Sequence, residues 1–201
     1  HVLTTDNDSL EMLMSARAAA ASEARMDGCP LPVVTNSGSG NQGITTSVPI
    51  IVYCREKHLD EETLYRALVF SNLCTIHEKT GIGRLSAFCG AVCAATAAGV
   101  TLTYLKGGTL EQIGNTIRNT FANISGIVCD GAKTTCALKI HTSLQSAFLA
   151  SKLALRGKTY DANTGILKGS CESTIDAIGI LGKEGMKETD KIILNIMLEK
   201  E

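Results

Sequence analysis

Apolar and polar positions repeat at helical spacing along most of this chain. Between residues 8 and 25, Leu, Met and Ala recur every three or four positions, with Asp6 or Asp8 available as the N-cap. The pattern stops near Met26-Asp27-Gly28. Cys29-Pro30-Leu31-Pro32 then enforces an extended connection, because a proline disfavours helix in the residue before it. After a loop rich in Ser, Gly and Asn, residues 44–57 read as a second helix, with Pro49 tolerated early or kinking it. Asp60 caps a third over 61–78, where Glu62 and Arg66 are one turn apart, and Gly81 and Gly83 break it. Residues 85–105 are nearly all small or apolar, which predicts a helix or bent helix pair buried on every side. Thr109, with Gln112 in the capping-box position, opens a helix to about Ile127, and an interrupted or kinked helix follows over 132–156. A polar, turn-rich stretch, 157–169, leads to helical patterns over 171–181 and from Thr189-Asp190 to Glu199. No convincing series of alternating strands and no fixed-period repeat is present. The expectation is an all-α fold: a compact multi-helix domain over residues 1–201, with Ala/Gly-rich buried helices and Gly-rich loops.

Composition narrows the picture. With 201 residues, 44% hydrophobic content and no Trp, the chain can bury a real core, built from small residues rather than aromatics. A net charge of −1 with both signs evenly spread points to neither nucleic acid nor a membrane surface. The longest apolar stretch is broken by Gly90 and Gly99 and is not a membrane span. Eight cysteines are too few for a disulfide scaffold, so a reducing, cytoplasmic setting is expected. The chain opens at His1 rather than Met and reads as part of a longer protein.

Three segments carry candidate chemistry. An apolar run ends in Cys129-Asp130-Gly131, and Cys136 follows seven positions on, where a new apolar segment begins. Two soft ligands around a backbone-exposing turn suit a thiolate-bound metal or cluster. Cys89, beside Gly90, is a third candidate that only tertiary structure can bring to the other two. There is no C-x-x-C pair, which argues against a zinc ribbon or finger, and common ferredoxin spacings are absent. Cys93, one turn beyond Cys89, is read as packing, with ligation as the alternative; Cys54 and Cys74 are read as small buried hydrophobes. The loop Asn36-Ser37-Gly38-Ser39-Gly40-Asn41-Gln42-Gly43 precedes a helix and suits an anion such as a substrate carboxylate, the plain alternative being an ordinary polar loop. His77 and Lys79 are candidate proton carriers, against a solvated helix end.

Together these segments resemble the iron–sulfur L-serine dehydratase alpha chain and, more closely, the related L-cysteine desulfidase-like family. The resemblance rests on Ser125-Gly126-Ile127-Val128-Cys129-Asp130-Gly131-Ala132-Lys133 with Cys136-Ala137-Leu138-Lys139, on Leu85-Ser86-Ala87-Phe88-Cys89-Gly90-Ala91, on Ser37 to Ile44, and on Thr189-Asp190-Lys191-Ile192-Ile193. It implies a [4Fe-4S] cluster held by Cys89, Cys129 and Cys136, with one iron left for substrate, and no pyridoxal phosphate. It further implies β-elimination of L-cysteine or L-serine, with the substrate carboxylate on the loop from Asn36 to Gln42. Family members carry an additional N-terminal region, so this chain is expected to be the C-terminal part of such a lyase, partnered by that region and a small amino acid and compatible with a homodimer. Two rival readings are a non-catalytic helical module and a structural zinc domain using Cys89, Cys129, Cys136 and either Cys93 or Cys171.

Overall fold

The computed structural model describes residues 3, 9–84 and 86–199. Within them the chain forms eight α-helices: α1 (Leu10–Met26), α2 (Gly40–Glu56), α3 (Glu61–Thr80), α4 (Gly90–Leu105), α5 (Leu110–Asn123), α6 (Cys136–Leu155), α7 (Cys171–Ile180) and α8 (Lys187–Leu198). No strand occurs among the described residues; two isolated bridges, Asn36 with Ser39 and Phe88 with Val128, tie loops together. The fold is all-α, as the periodicity predicts.

The helix starts follow from side-chain caps. Asp60 accepts from the Thr63 amide, and Thr109 and Gln112 form a reciprocal capping box. Ser9 caps α1 through the Met12 amide; the expected caps Asp6 and Asp8 lie outside the described residues. Four boundaries differ from the pattern. Ser39 caps α2, so this helix takes in Gly40–Gly43, and Pro49 lies inside it. The predicted start of α4 at Leu85 falls on a residue outside the description; residues 86–89 are not helical and α4 begins at Gly90. α5 ends at Asn123 and α6 runs unbroken from Cys136. In both places the backbone pairs instead with another loop: the Cys89 amide donates to Ile127 O (2.8 Å) and the Cys129 amide to Ala87 O (2.7 Å). Helical periodicity continues through these residues, but their amides are committed across the fold. Near the C-terminus a π-helical turn, Leu181–Gly185, joins α7 to α8, which starts ahead of Thr189.

The central element is α4, packed against α2, α3, α5 and α6; α1 lies on α2 and α6. One face of α4 (Ala91, Ala95, Ala98, Leu102) joins the core shared by α1, α2 and α6. The other (Val92, Cys93, Val100) joins a second core with Phe121, Ile175 and Ile178. Small residues let the helices close tightly. An added Cβ on Gly99 would lie 2.7 Å from Ala147 O of α6, closer than packed atoms approach. Two groups of buried hydroxyls are paired: Thr103 with Thr116 (2.8 Å) and Ser151 (2.8 Å), and Thr46 with Ser71 (2.7 Å) and Thr75 (2.9 Å). The hydroxyls of Thr75, Thr96, Thr101 and Thr120 donate to the carbonyl four residues back, which satisfies them inside the helices. No described helix is long and apolar enough to cross a membrane.

Candidate active site

Three helix N-termini, those of α2, α4 and α6, open onto one cavity of about 290 Å³. Cys89 is the N-cap of α4, and Cys136 is the first residue of α6. Cys129 sits on the loop whose backbone pairs with the Cys89 segment. All three cysteines line the cavity, together with Gly38, Ser39, Asn41 and Gln42 from the start of α2, and Lys79 from the end of α3. The two cysteine segments, 40 positions apart in the chain, are thus joined by backbone hydrogen bonds on either side of the Phe88–Val128 bridge.

The sulfurs are not equivalent. The Cys89 thiol hydrogen-bonds to Cys129, and Cys89, which is also buried, is pushed up. Cys129 is drawn down to about 6 by that hydrogen bond, aided by the Gly131 amide and the charge of Lys139, against the opposing effect of burial. The Cys136 sulfur lies 3.5 Å from both Gly131 O and the Lys133 amide, inside the turn it closes. Gly131 has φ 95°, a left-handed conformation that glycine adopts without strain. A clamp holds this loop: Lys139 Nζ donates to Val128 O (3.1 Å) and pairs with the Asp130 carboxylate. Lys139 holds the Asp130 carboxyl below its usual range.

The Gly-rich loop divides in two. Asn36 and Ser39 exchange both backbone hydrogen bonds (3.1 and 3.0 Å) around Ser37 (φ 50°) and Gly38 (φ 85°), the two left-handed positions of a type I′ turn. Asn36 is buried and donates to Asn72 O and Oδ1; Ser37 Oγ donates to Asn36 Oδ1. These two side chains build the turn and do not line the cavity. Gly40 is covered by the Arg25 guanidinium, 2.6 Å from where a Cβ would stand, and it too is absent from the lining.

Of the two proton-carrier candidates, Lys79 alone reaches the cavity. It is only 4% exposed, and burial lowers its pKa, with the cysteines Cys93, Cys89 and Cys129 opposing that shift. His77 instead faces a separate apolar groove, where its Nε2 lies 2.7 Å from Glu172 Oε2 on an exposed surface. One helical residue step turns a side chain by about 100°, so two positions on α3 suffice to separate them.

Two features of the cavity escape sequence reading. Arg25, in the last turn of α1, and Arg84 line it, so with Lys79 it carries three cationic side chains and no Asp or Glu. Arg25 looked like an ordinary basic residue at a helix C-terminus, and nothing local marks it. The Asp130–Lys139 clamp was visible only as a Cys-Asp-Gly turn followed by a lysine one turn into the next helix.

The zinc alternative finds no support in the geometry. Among the described residues, no three His, Cys, Asp or Glu side chains stand close enough to hold one metal ion. Cys93 is fully buried in the second core, and Cys171 lies against Gly114 in the groove that His77 lines.

Fold and site together define the class: an all-α domain in which three cysteines and the N-termini of three helices meet at one cavity. The chain belongs to the serine dehydratase alpha chain family, which it matches over residues 3–195. Relatives named UPF0597 protein occur in Treponema denticola (50% identical over 96% of this chain and 45% of the relative), Lachnoclostridium phytofermentans (50%; 98% and 47%) and Desulfitobacterium hafniense (52%; 99% and 46%). The chain therefore spans about half the length of the curated relatives it matches. No solved structure matches it.

Proposed function

We propose that this chain is the cluster-bearing part of a pyridoxal-independent lyase that eliminates the β-substituent of L-cysteine or L-serine. The observation that carries the reading is the shared cavity: Cys89, Cys129, Cys136, Lys79 and the start of α2 all face it. Membership of the serine dehydratase alpha chain family supports the same reaction class.

The chemistry of the donor set is compatible with an iron–sulfur cluster: three thiols line one cavity, and two stand at helix starts, where negative charge is favoured. When bound through Cys89, Cys129 and Cys136, such a cluster supplies a Lewis-acid iron without a protein ligand. The chain's own residues do the rest. The N-terminus of α2 offers unpaired backbone amides to the substrate carboxylate, and the Ser39 cap fixes their direction. Lys79, whose burial holds its pKa below the usual lysine value, takes or returns a proton at the substrate. The Asp130–Lys139 clamp keeps the Cys129 loop in register. Loss of the α-proton and of hydrosulfide or hydroxide leaves aminoacrylate, whose imine tautomer takes up water to give pyruvate and ammonia.

The test uses the intact protein, purified without oxygen and reconstituted with iron and sulfide. It should be brown, bleach in air, and release pyruvate from L-cysteine or L-serine, with sulfide from cysteine. Cys129→Ala should abolish both colour and turnover. A protein that stays colourless after reconstitution and yields no pyruvate would sink the proposal.

A further inference from the structure

The cavity has an unusual charge inventory for a site that receives a zwitterion. Arg25, Lys79 and Arg84 line it, and no carboxylate does. Two glycine-bare helix starts border it, and the polar side chain that covers each of them lines the cavity. The Arg25 guanidinium lies on Gly40, where an added Cβ would stand 2.6 Å from Nε and 2.8 Å from Cζ. The Gln42 amide lies on Gly90, where a Cβ would stand 2.3 Å from Cδ and 2.6 Å from Oε1. Neither contact tolerates any residue but glycine without displacement of the polar group.

Both side chains keep hydrogen-bonding capacity in reserve. Arg25 Nη1 donates to Asn41 Oδ1 at 3.0 Å, which aims the guanidinium, yet among the described residues it has no carboxylate partner. Gln42 is 6% exposed, and its Oε1 is buried with no hydrogen-bond partner among the described residues. A buried acceptor without a partner costs stability, so its retention beside a cavity points to a ligand donor. Lys79, 4% exposed and likewise without a described hydrogen-bond partner, keeps the field positive next to the sulfurs.

We infer that Arg25 and Gln42 read the headgroup of an α-amino acid, Arg25 taking the carboxylate and Gln42 Oε1 the ammonium. The planar guanidinium suits a carboxylate, which it can bind through two parallel hydrogen bonds. With three cations nearby, the ammonium is tolerated only where an acceptor meets it, and Gln42 supplies one on the wall next to Cys89. The β-substituent is then left toward the cysteines. Amines that lack the carboxylate lose the Arg25 contact and keep only the one to Gln42. The inference takes its substrate class from the lyase reading, but the binding it predicts stands apart from turnover.

Calorimetric titration of the intact protein, held anaerobically, with L-serine and with ethanolamine isolates the carboxylate, because the two ligands otherwise share ammonium and hydroxyl. Wild type should prefer L-serine. Arg25→Met should weaken L-serine by roughly 10- to 100-fold and leave ethanolamine unchanged, the range expected for hydrogen bonds to a charged group. Arg25→Lys, which keeps the charge without the fork, should recover part of the loss. Gln42→Leu should weaken both ligands. The inference is overturned if wild type does not bind L-serine, if Arg25→Met keeps its preference, or if Arg25→Met and Arg25→Lys lose both ligands equally. Pyruvate release measured on the same samples separates the two ideas. Carboxylate-dependent binding without turnover in wild type would sink the lyase reading and leave the headgroup assignment standing.

Discussion

Replacing Gly99 by alanine tests whether the close crossing of α4 and α6 holds the cavity together. The new Cβ would lie 2.7 Å from Ala147 O, 2.8 Å from Ala147 Cβ and 2.9 Å from the Ala147 carbonyl carbon. None of these atoms can move by a rotamer change, so one helix must shift. Alanine gains about 1 kcal/mol over glycine inside a helix, whereas overpacking costs about 1–3 kcal/mol. Against backbone atoms the cost falls at the upper end, which leaves a net loss of about 1–2 kcal/mol. For a domain of this size that lowers the melting temperature by roughly 2–8 °C. The shift also reaches the site, because α4 begins next to Cys89 and α6 begins at Cys136. Iron uptake on anaerobic reconstitution should fall with the melting temperature. Gly114→Ala is the control: in α5 its Cβ meets only Cys171, the sulfur at 3.4 Å and Cβ at 3.6 Å, both ordinary contacts, so helix propensity prevails and the protein should melt higher by roughly 2–4 °C. Circular-dichroism melts of both variants decide the matter. Gly99→Ala melting at or above wild type would refute the packing argument.

Three further outcomes are expected. Glu78 is buried with neither carboxylate oxygen partnered, and burial, with Glu172 nearby, pushes its carboxyl well up. Its ionisation is resisted in the folded state, so stability declines as pH rises above the unfolded value of about 4.3; Glu78→Gln should melt higher than wild type at about pH 8 and alike at about pH 4, and an equal offset at both would contradict this. The Asp130 carboxyl is held low by Lys139, so its contribution is complete above the unfolded value of about 3.9 and is lost as pH falls through the lower folded value. The melting deficit of Asp130→Asn should therefore shrink below about pH 4, and a constant deficit would exclude the clamp as its cause. In metal-free protein, Cys129, drawn down to about 6 by the Cys89 hydrogen bond, should react with iodoacetamide at about pH 7 well before Cys74, which burial pushes up to about 12. Peptide mass mapping reads the order, and Cys89→Ala should slow Cys129 by removing the hydrogen bond.

The candidate site was legible where a motif is local. Cys129-Asp130-Gly131 with Cys136, and Ser39 to Gln42 before α2, are contiguous, and their spacing bounds where their atoms can go. Lys79 was named beside His77, but sequence had no means to choose between them. That choice rests on which face of α3 meets α4, and α4 shows no polar face from which to infer it. Arg25 was missed because its role depends on Gly40 of another helix coming within contact. The start of α4 and the end of α5 depart from the periodicity for a related reason: the amides of Cys89 and Cys129 bond to Ile127 and Ala87, far along the chain, rather than within a helix.

By itself, then, the amino-acid order determined the helical class, the caps Asp60 and Thr109, and the three cysteines worth watching. These depend on side-chain period and on hydrogen bonds within four residues, which nearby sequence controls. Tertiary structure decided that the cysteines share a cavity, that its walls are cationic and that Lys79 rather than His77 faces it. Those facts depend on how closely small-residue helices approach, and on loops whose backbone partners lie far along the chain.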